Sequence, residues 1–236
     1  MTVSHTVSLS SEFPTVPGPP PGSVRVPGPP PEGSVVGIAS GDLVEQARRL
    51  EYEVFVEQGY CQPSDDGRVE EYRRWDEVSR FHVVVAPDGR ITGTIRTTIG
   101  AYDDLPVGSF PRTVIYPSDP VLEVASLAVP RWARKLGAAE QVYRSVIQEA
   151  IATGVGGMVA IGEMWLLQLL NHGYDFSFHQ LGPSRWYMGG DCFPMGSSMA
   201  DFLRALRERQ PQFLSWILDG LETVDLRTVP SPASRR

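Results

Sequence analysis

The sequence predicts an α/β (α+β) fold, in which helices flank a mixed, mostly antiparallel central sheet. Three observations carry that prediction. Short β-rich or apolar runs of strand length alternate with longer segments of helical spacing. Two of the β-rich runs, in "RFHVVVAPDGRITGTIRTTI", are joined by a Pro-Asp-Gly turn, the signature of a hairpin. The full order of strand, helix, hairpin, strand, helix, strand, helix, strand, strand is that of one domain built on a mixed sheet. At 236 residues and 42% hydrophobic content, the chain is long enough to bury one sizeable core.

Residues 16 to 35 hold a tandem repeat, "VPGPPPGSV" then "VPGPPPEGSV", rich in residues that favour extended chain and cannot build a core. Residues 1 to 33 are therefore expected to be a disordered tail, with the domain running from Ser34 to about residue 222. "SVVGIAS" reads as a strand. "DLVEQARRLEYEVFVEQ" reads as a helix capped by Asp42, with Leu43, Ala47, Leu50 and Val54 at helical spacing. After the hairpin come "VLEVASLAV" as a strand, "GAAEQVYRSVIQEAIAT" as a helix and "GGMVAI" as a strand. "EMWLLQLLNHG" is a helix expected to end at Gly173, and "FSFHQLG" and "RWYMGG" are further strands. In residues 199 to 222, Phe213, Trp216, Ile217 and Leu221 share a helical stripe that packs on the domain, and 223 to 236 read as a flexible tail.

A net charge of -7 with scattered Lys and Arg argues against a nucleic-acid partner, which needs a basic face. Cys61 and Cys192, the two cysteines, lack metal-ligand or redox spacing. "MTVSHTVSLSSEF" has no basic leader ahead of an apolar core, and no apolar run reaches membrane-spanning length, so a cytoplasmic protein is expected. Asp65-Asp66 and Asp103-Asp104 sit in loop contexts without ligand spacing, so no metal is called for. His82 and His179 lie in strands and are expected to be hydrogen-bonded strand residues, and Ser197-Ser198 lacks a nucleophile-elbow context. The sequence carries no signal of oligomeric state.

The chemistry concentrates in residues 121 to 150. Glu123 lies on a strand that is apolar on both faces, so desolvation raises its pKa toward the range of a general base working near neutrality. Two roles stay open for it: base or anchor for a substrate amine, or a buried ion pair with Arg96 on the neighbouring strand. After Pro130, Arg134, Gly137 and Ala139 stand at Arg-x-x-Gly-x-Ala spacing directly before a helix, whose free N–H groups form an anion site. Arg131, Arg134 and Lys135 add positive charge there.

This strand, turn and helix resemble the acyl-coenzyme-binding motif of the GNAT acyltransferase superfamily, over about residues 34 to 195. The flanks "LEYEVFVEQGY", "EEYRRWDEVSRFHVVV", "ITGTIRTT" and "NHGYDFSFHQLGPSRWYMGG" further resemble the acyl-homoserine-lactone synthases and the related N-acyl amino acid synthases. The resemblance implies a GNAT-like sheet splayed at the acyl-donor strands. It implies Glu123 and Arg96 as catalytic residues. It places the acyl donor and its phosphopantetheine against Leu127, Ala128, Val129, Arg134, Lys135, Leu136, Gly137, Ala138 and Ala139. Phe55, Asp76, Trp75, Ser126 and Trp165 are then the substrate-binding candidates. The chain departs from the lactone synthases where they typically carry arginine, at Glu51 and Ser126, and where they carry an acid, at Arg73. It has Leu169 where many GNAT enzymes have a tyrosine acid. These departures favour acylation of another amine over lactone formation.

The expected activity is transfer of a fatty acyl group from acyl carrier protein or acyl-coenzyme A to the primary amine of an amino acid, a related small molecule or a peptide. No tightly bound cofactor is expected. The competing expectations are lactone-signal synthesis, short-chain transfer from acetyl-coenzyme A, and a catalytically silent module that binds an acyl carrier or lipid.

Overall fold

A computed structural model describes residues 22–221 and 228–229. In chain order the strands are β1 (Val35–Ala39), β2 (Arg80–Val85), β3 (Ile91–Gly100), β4 (Val121–Ala128), β5 (Gly157–Gly162), β6 (His179–Gln180), β7 (Arg185–Tyr187), β8 (Gly190–Ser198) and β9 (Thr228–Val229). The α-helices are α1 (Asp42–Gln58), α2 (Ala138–Thr153), α3 (Met164–Gln168), α4 (Met199–Arg209) and α5 (Pro211–Leu218). Short 3-10 turns cover Glu70–Trp75 and Pro106–Ser109.

The sheet order is β6-β8-β5-β4-β3-β2-β1-β9, with β7 paired to β8 alone. Two neighbouring pairs are parallel, β4 with β5 and β1 with β9, and the rest are antiparallel. The parallel β4–β5 pair needs a crossover, which α2 supplies.

Strand periodicity sorts the helices onto opposite faces. Phe81, Val83 and Val85 of β2 pack with Leu43 and Ala47 of α1. The intervening Val84 packs with Val142, Val146 and Ile147 of α2. Because neighbouring strand residues point to opposite faces, α1 covers one side of the sheet and α2 the other. In α2 the buried set Ala138, Val142, Val146, Ile147, Ala150 follows the helical stripe its sequence predicts. On that face His82 is fully buried, its Nδ1 2.7 Å from Ser145 Oγ and its Nε2 2.8 Å from Glu149 Oε2, a satisfied strand histidine.

Several expectations are corrected. The cap of α1 is Gly41, at φ 58°, and Asp42 is the first helical residue, where its carboxylate meets the positive end of the helix dipole. The α3 helix does not stop in a left-handed Gly173; it passes into a π-helical turn over Leu169–Gly173, and Asp175 takes the positive φ. "GDCFPMGSS" is the nine-residue strand β8, which its Gly, Pro and Asp content conceals. Residues 22–33, assigned to the tail, run along the domain: Gly22 N–H donates to Arg209 O (2.6 Å), Val24 N–H to Gln210 Oε1 (3.1 Å) and Gln141 Nε2 to Gly28 O (3.0 Å). Thr228–Val229, in the C-terminal stretch read as flexible, pair with β1. The remainder of both predicted tails, residues 1–21, 223–227 and 230–236, lies outside the described residues.

At Gly157, the first residue of β5, the chain packs tightly against β8 and the Pro117 segment. A Cβ there would stand 2.4 Å from Pro117 Cβ and 2.4 Å from Ser197 O, a backbone atom with no freedom to yield. Gly157→Ala should therefore cost about 2–3 kcal/mol of unfolding free energy in urea titration. An unchanged midpoint would show that this end of the sheet is not closely packed.

Candidate active site

β4 and β5 pair through only three positions, Val121 with Gly157, Leu122 with Met158 and Glu123 with Val159. β4 then continues to Ala128 and β5 to Gly162 without pairing to each other. Past Glu123 the two strands diverge, and the edge of β4 that faces β5 has no strand partner. A cavity of about 320 Å³ occupies the gap. Val124, Ala125, Ser126 and Leu127 wall it on one side, and Ala160, Ile161, Gly162 and Glu163 on the other. Tyr143, Val146 and Ile147 of α2 line it from one face of the sheet, and Phe55 of α1 with Tyr72 from the other. The cavity thus passes through the sheet.

Its walls are strongly apolar. Met158, Leu166, Leu170, Phe176 and Phe178 extend it on the α2 side, and Trp165 stands half-exposed at its rim. Tyr60, Tyr72, Tyr187, Met188 and Cys192 also line it. Cys192 does not offer a ready thiolate: burial, and after it the Glu163 and Asp191 charges, push its pKa up to about 11.

Glu123 marks the point where the strands part. Leu122 and Val124 face the α2 core, so Glu123 turns to the α1 side, where it is 1% exposed. Val107 N–H donates to its Oε2 (2.9 Å), and Oε1 is buried without a protein hydrogen-bond partner. Burial raises its pKa to about 8, against a smaller opposing contribution from the Val107 bond. Glu123 itself does not form the cavity wall. Tyr72 and Tyr187 do, and both hydroxyl pKa values are raised, by burial first and then by neighbouring charge that includes Glu123.

Arg96 does not pair with Glu123, the partner the sequence suggested. Its Nε and Nη2 donate to Glu51 Oε1 (2.8 Å) and Oε2 (2.6 Å), a two-pronged bond, and its Nη1 donates to Asp76 Oδ1 (2.9 Å) and Ser79 Oγ (3.3 Å). The guanidinium also stacks over Phe81 and Tyr72, at 4.7 and 5.0 Å from the ring centres. Burial works against its charge, but the bonds and charges of Glu51, then of Asp76, outweigh that and raise its pKa. Ser126, on β4, donates its hydroxyl to Glu51 Oε1 as well. Asp76 also receives Arg68 Nη1 at 3.0 Å, with Arg48 Nε 3.6 Å away.

Among the predicted site residues, Phe55, Ser126, Leu127 and Trp165 line the cavity, while Arg96 and Asp76 form the ion-pair network behind it. Trp75 lies apart, its indole N–H donating to Asp104 O at 2.8 Å. Ala128 is fully buried beside β3. A Cβ on Gly93 would stand 2.9 Å from Ala138 Cβ and 3.6 Å from Val129, so these two residues pack α2 onto β3. Arg134, Lys135 and Leu136 are exposed in the turn before α2, with Lys135 and Gly137 both at positive φ, and Ala139 follows in the helix's first turn. None of this turn lines the cavity. Sequence reasoning did not single out Tyr72 and Glu163, which also enter the wall. Among the described residues no three His, Cys, Asp or Glu side chains converge as metal ligands do.

No protein-family model matches the sequence, and no curated protein matches it. Solved structures do resemble it. An acyl-homoserine-lactone synthase, BjaI, CoA-dependent and solved with SAM and isopentyl-CoA, superposes with a TM-score of 0.61 at 20% identity, covering 85% of this chain and 95% of its own. FeeM, an N-acyl amino acid synthase from uncultured soil microbes, does so at 0.56 and 15% identity, covering 73% and 94%. MesI, another CoA-dependent acyl-homoserine-lactone synthase, gives 0.55 at 14%, covering 76% and 95%. These likenesses show the fold, the GNAT-like arrangement that the sequence resemblance implied.

Two measurements follow from the buried charges. The folded pKa of Glu123, about 8, lies above its ordinary value of 4.5, so its contribution to stability is complete below pH 4.5 and is lost as pH rises through 8. Wild type should lose stability relative to Glu123→Gln between those values, with a slope approaching about 1.4 kcal/mol per pH unit. Parallel curves would mean an unperturbed carboxyl. Arg96→Ala should cost about 3–5 kcal/mol in chemical denaturation at neutral pH, because it strands Glu51 in the interior and takes one of its cations from Asp76. A loss below about 1 kcal/mol would mean that the network is solvated.

Proposed function

We propose that this protein is an N-acyltransferase that moves an acyl group from a thioester to the primary amine of a small molecule. The observation that carries the reading is the apolar gap through the sheet, opening at a buried acid whose pKa lies near neutrality. An acyl chain suits the α2 side, where Val146, Ile147, Met158, Leu170 and Phe176 offer no polar group to satisfy. The pantetheine arm carries amides, and the unpartnered edge of β4 is the place for them to find backbone hydrogen bonds. Its phosphate would meet the free N–H groups of Gly137 to Ala139 with Arg134 and Lys135 alongside. Acyl-coenzyme A is the first donor to test, since BjaI is CoA-dependent, and the same arm borne by a carrier protein is the second.

The reaction needs an uncharged amine beside the thioester carbonyl. Glu123, directly or through water, takes the proton as nitrogen attacks the carbonyl carbon. The C–S bond then breaks, and the same proton passes to the leaving thiolate, so Glu123 ends in its starting state. A covalent acyl-enzyme is not required, and the high thiol pKa of Cys192 disfavours one. Arg96 serves this site through position: it holds Glu51, and with it the α1 segment that brings Phe55 to the cavity. The size and apolarity of the gap favour longer acyl chains over acetyl.

Thiol release and product mass, followed with coenzyme A esters from acetyl to tetradecanoyl and a broad amine panel, test the reading. Medium or long chains should outrun acetyl. For the best pair, kcat/KM should rise with pH to a plateau above about 8. Glu123→Gln should remove that limb and lower kcat/KM about 100-fold or more. No transfer from coenzyme-bound or carrier-bound donors to any amine would overturn the proposal.

A further inference from the structure

The cavity has an unusual charge inventory for a site that receives an amine. Among the described residues that line it there is no Lys, Arg or His, and Glu163 is the single charged one. Glu163 follows the last residue of β5, and its Oε2 accepts the Trp165 indole N–H at 2.7 Å. Its other oxygen lies over Gly190: a Cβ on Gly190 would stand 2.7 Å from Glu163 Oε1, so this glycine leaves the carboxylate its room. Behind the wall, Oε1 of Glu123 is a second buried acceptor without a protein partner.

The surrounding cations are committed elsewhere. All three nitrogens of the Arg96 guanidinium are taken by Glu51, Asp76 and Ser79. Arg68 is engaged by Asp76 at 3.0 Å, and Arg48 by Glu45 and the Asp76 carbonyl. Arg185 is exposed, lies over the Phe110 ring at 4.1 Å and the Tyr187 ring at 5.6 Å from its centre, and donates to Ser109 Oγ at 2.9 Å. Ser126 does enter the wall, but its hydroxyl is spent on Glu51. An incoming carboxylate would thus shed its water in an apolar cavity, meet no cation, and face an acid already there. An incoming amine meets the opposite conditions.

We propose that the acceptor is a small primary amine bearing no carboxylate, attracted by Glu163, and that free amino acids are excluded because the cavity supplies no positive charge to receive their carboxylate. The inference rests on the N-acyltransferase reading and narrows its acceptor.

Matched pairs that differ only in the carboxylate test it: phenethylamine against phenylalanine, tryptamine against tryptophan, isopentylamine against leucine. Binding to the intact protein is measured by calorimetry, and turnover by product mass with the best acyl-coenzyme A donor. The carboxylate-free member should lead by at least about 100-fold in kcat/KM, as expected when a buried charge is left unpaired. Glu163→Gln should shrink that ratio at least about tenfold, by weakening amine binding and removing repulsion. Equal or better use of the amino acids would overturn the proposal. Selective amine binding without turnover of any donor would sustain the recognition claim while sinking the acyltransferase reading. Binding of neither member of any pair, with no turnover, would sink both.

Discussion

The rest of the molecule depends on the parting of β4 from β5. Their pairing lasts three residues, and at its closed end Gly157 admits Pro117 and Ser197 at distances no side chain would allow. Beyond Glu123 the two backbones turn away, and hydrogen bonds that a continuous sheet would make are given up. Unpaired backbone groups inside a protein are costly, so such an opening persists only where surrounding structure holds it. Here α2 and the π-helical turn after α3 hold it from one face, and α1 with the Tyr72 segment from the other. The opening therefore comes with apolar walls and a free strand edge together.

The second constraint is charge. Glu51 and Arg48 occupy the buried face of α1, positions that amphipathic spacing alone would reserve for apolar residues. Burying either without a partner would cost more than the helix gains by packing; Arg96 binds Glu51 with two nitrogens and reaches Asp76 with the third, while Glu45 and Asp76 engage Arg48. One guanidinium thereby joins α1, β3 and the segment after the Glu70–Trp75 turn. Phe55, one helical turn beyond Glu51, is set in the cavity wall by the same tie.

What was legible in the sequence was what local pattern controls. The hairpin, the α2 stripe and the burial of Glu123 all follow from periodicity and flanking residues, and the structure places each of them as read. Long-range choices were not legible. Nothing near Arg96 in sequence says that its partner is Glu51, 45 positions away, and not Glu123 on the adjacent strand. β8 escaped because Gly, Pro and Asp argue against a strand, yet pairing with β5 over six positions overrides that propensity. Glu163 carried no motif, and its place in the wall becomes visible only when Gly190 is brought against it.

The two constraints are linked through a single absence of contact. Had Arg96 faced Glu123, as strand adjacency suggested, the attraction would have held the carboxyl ionised and lowered its pKa, leaving a weak base. Because Glu51 and Asp76 consume the guanidinium, burial outweighs the Val107 bond at Glu123 and lifts it to about 8, while the described residues of the cavity wall include no Lys, Arg or His. The same ion-pair arrangement thus bears on both the Glu123 carboxyl and the charge of the cavity wall. A raised carboxyl pKa and a described lining without Lys, Arg or His are then two features that go with where one arginine spends its hydrogen bonds.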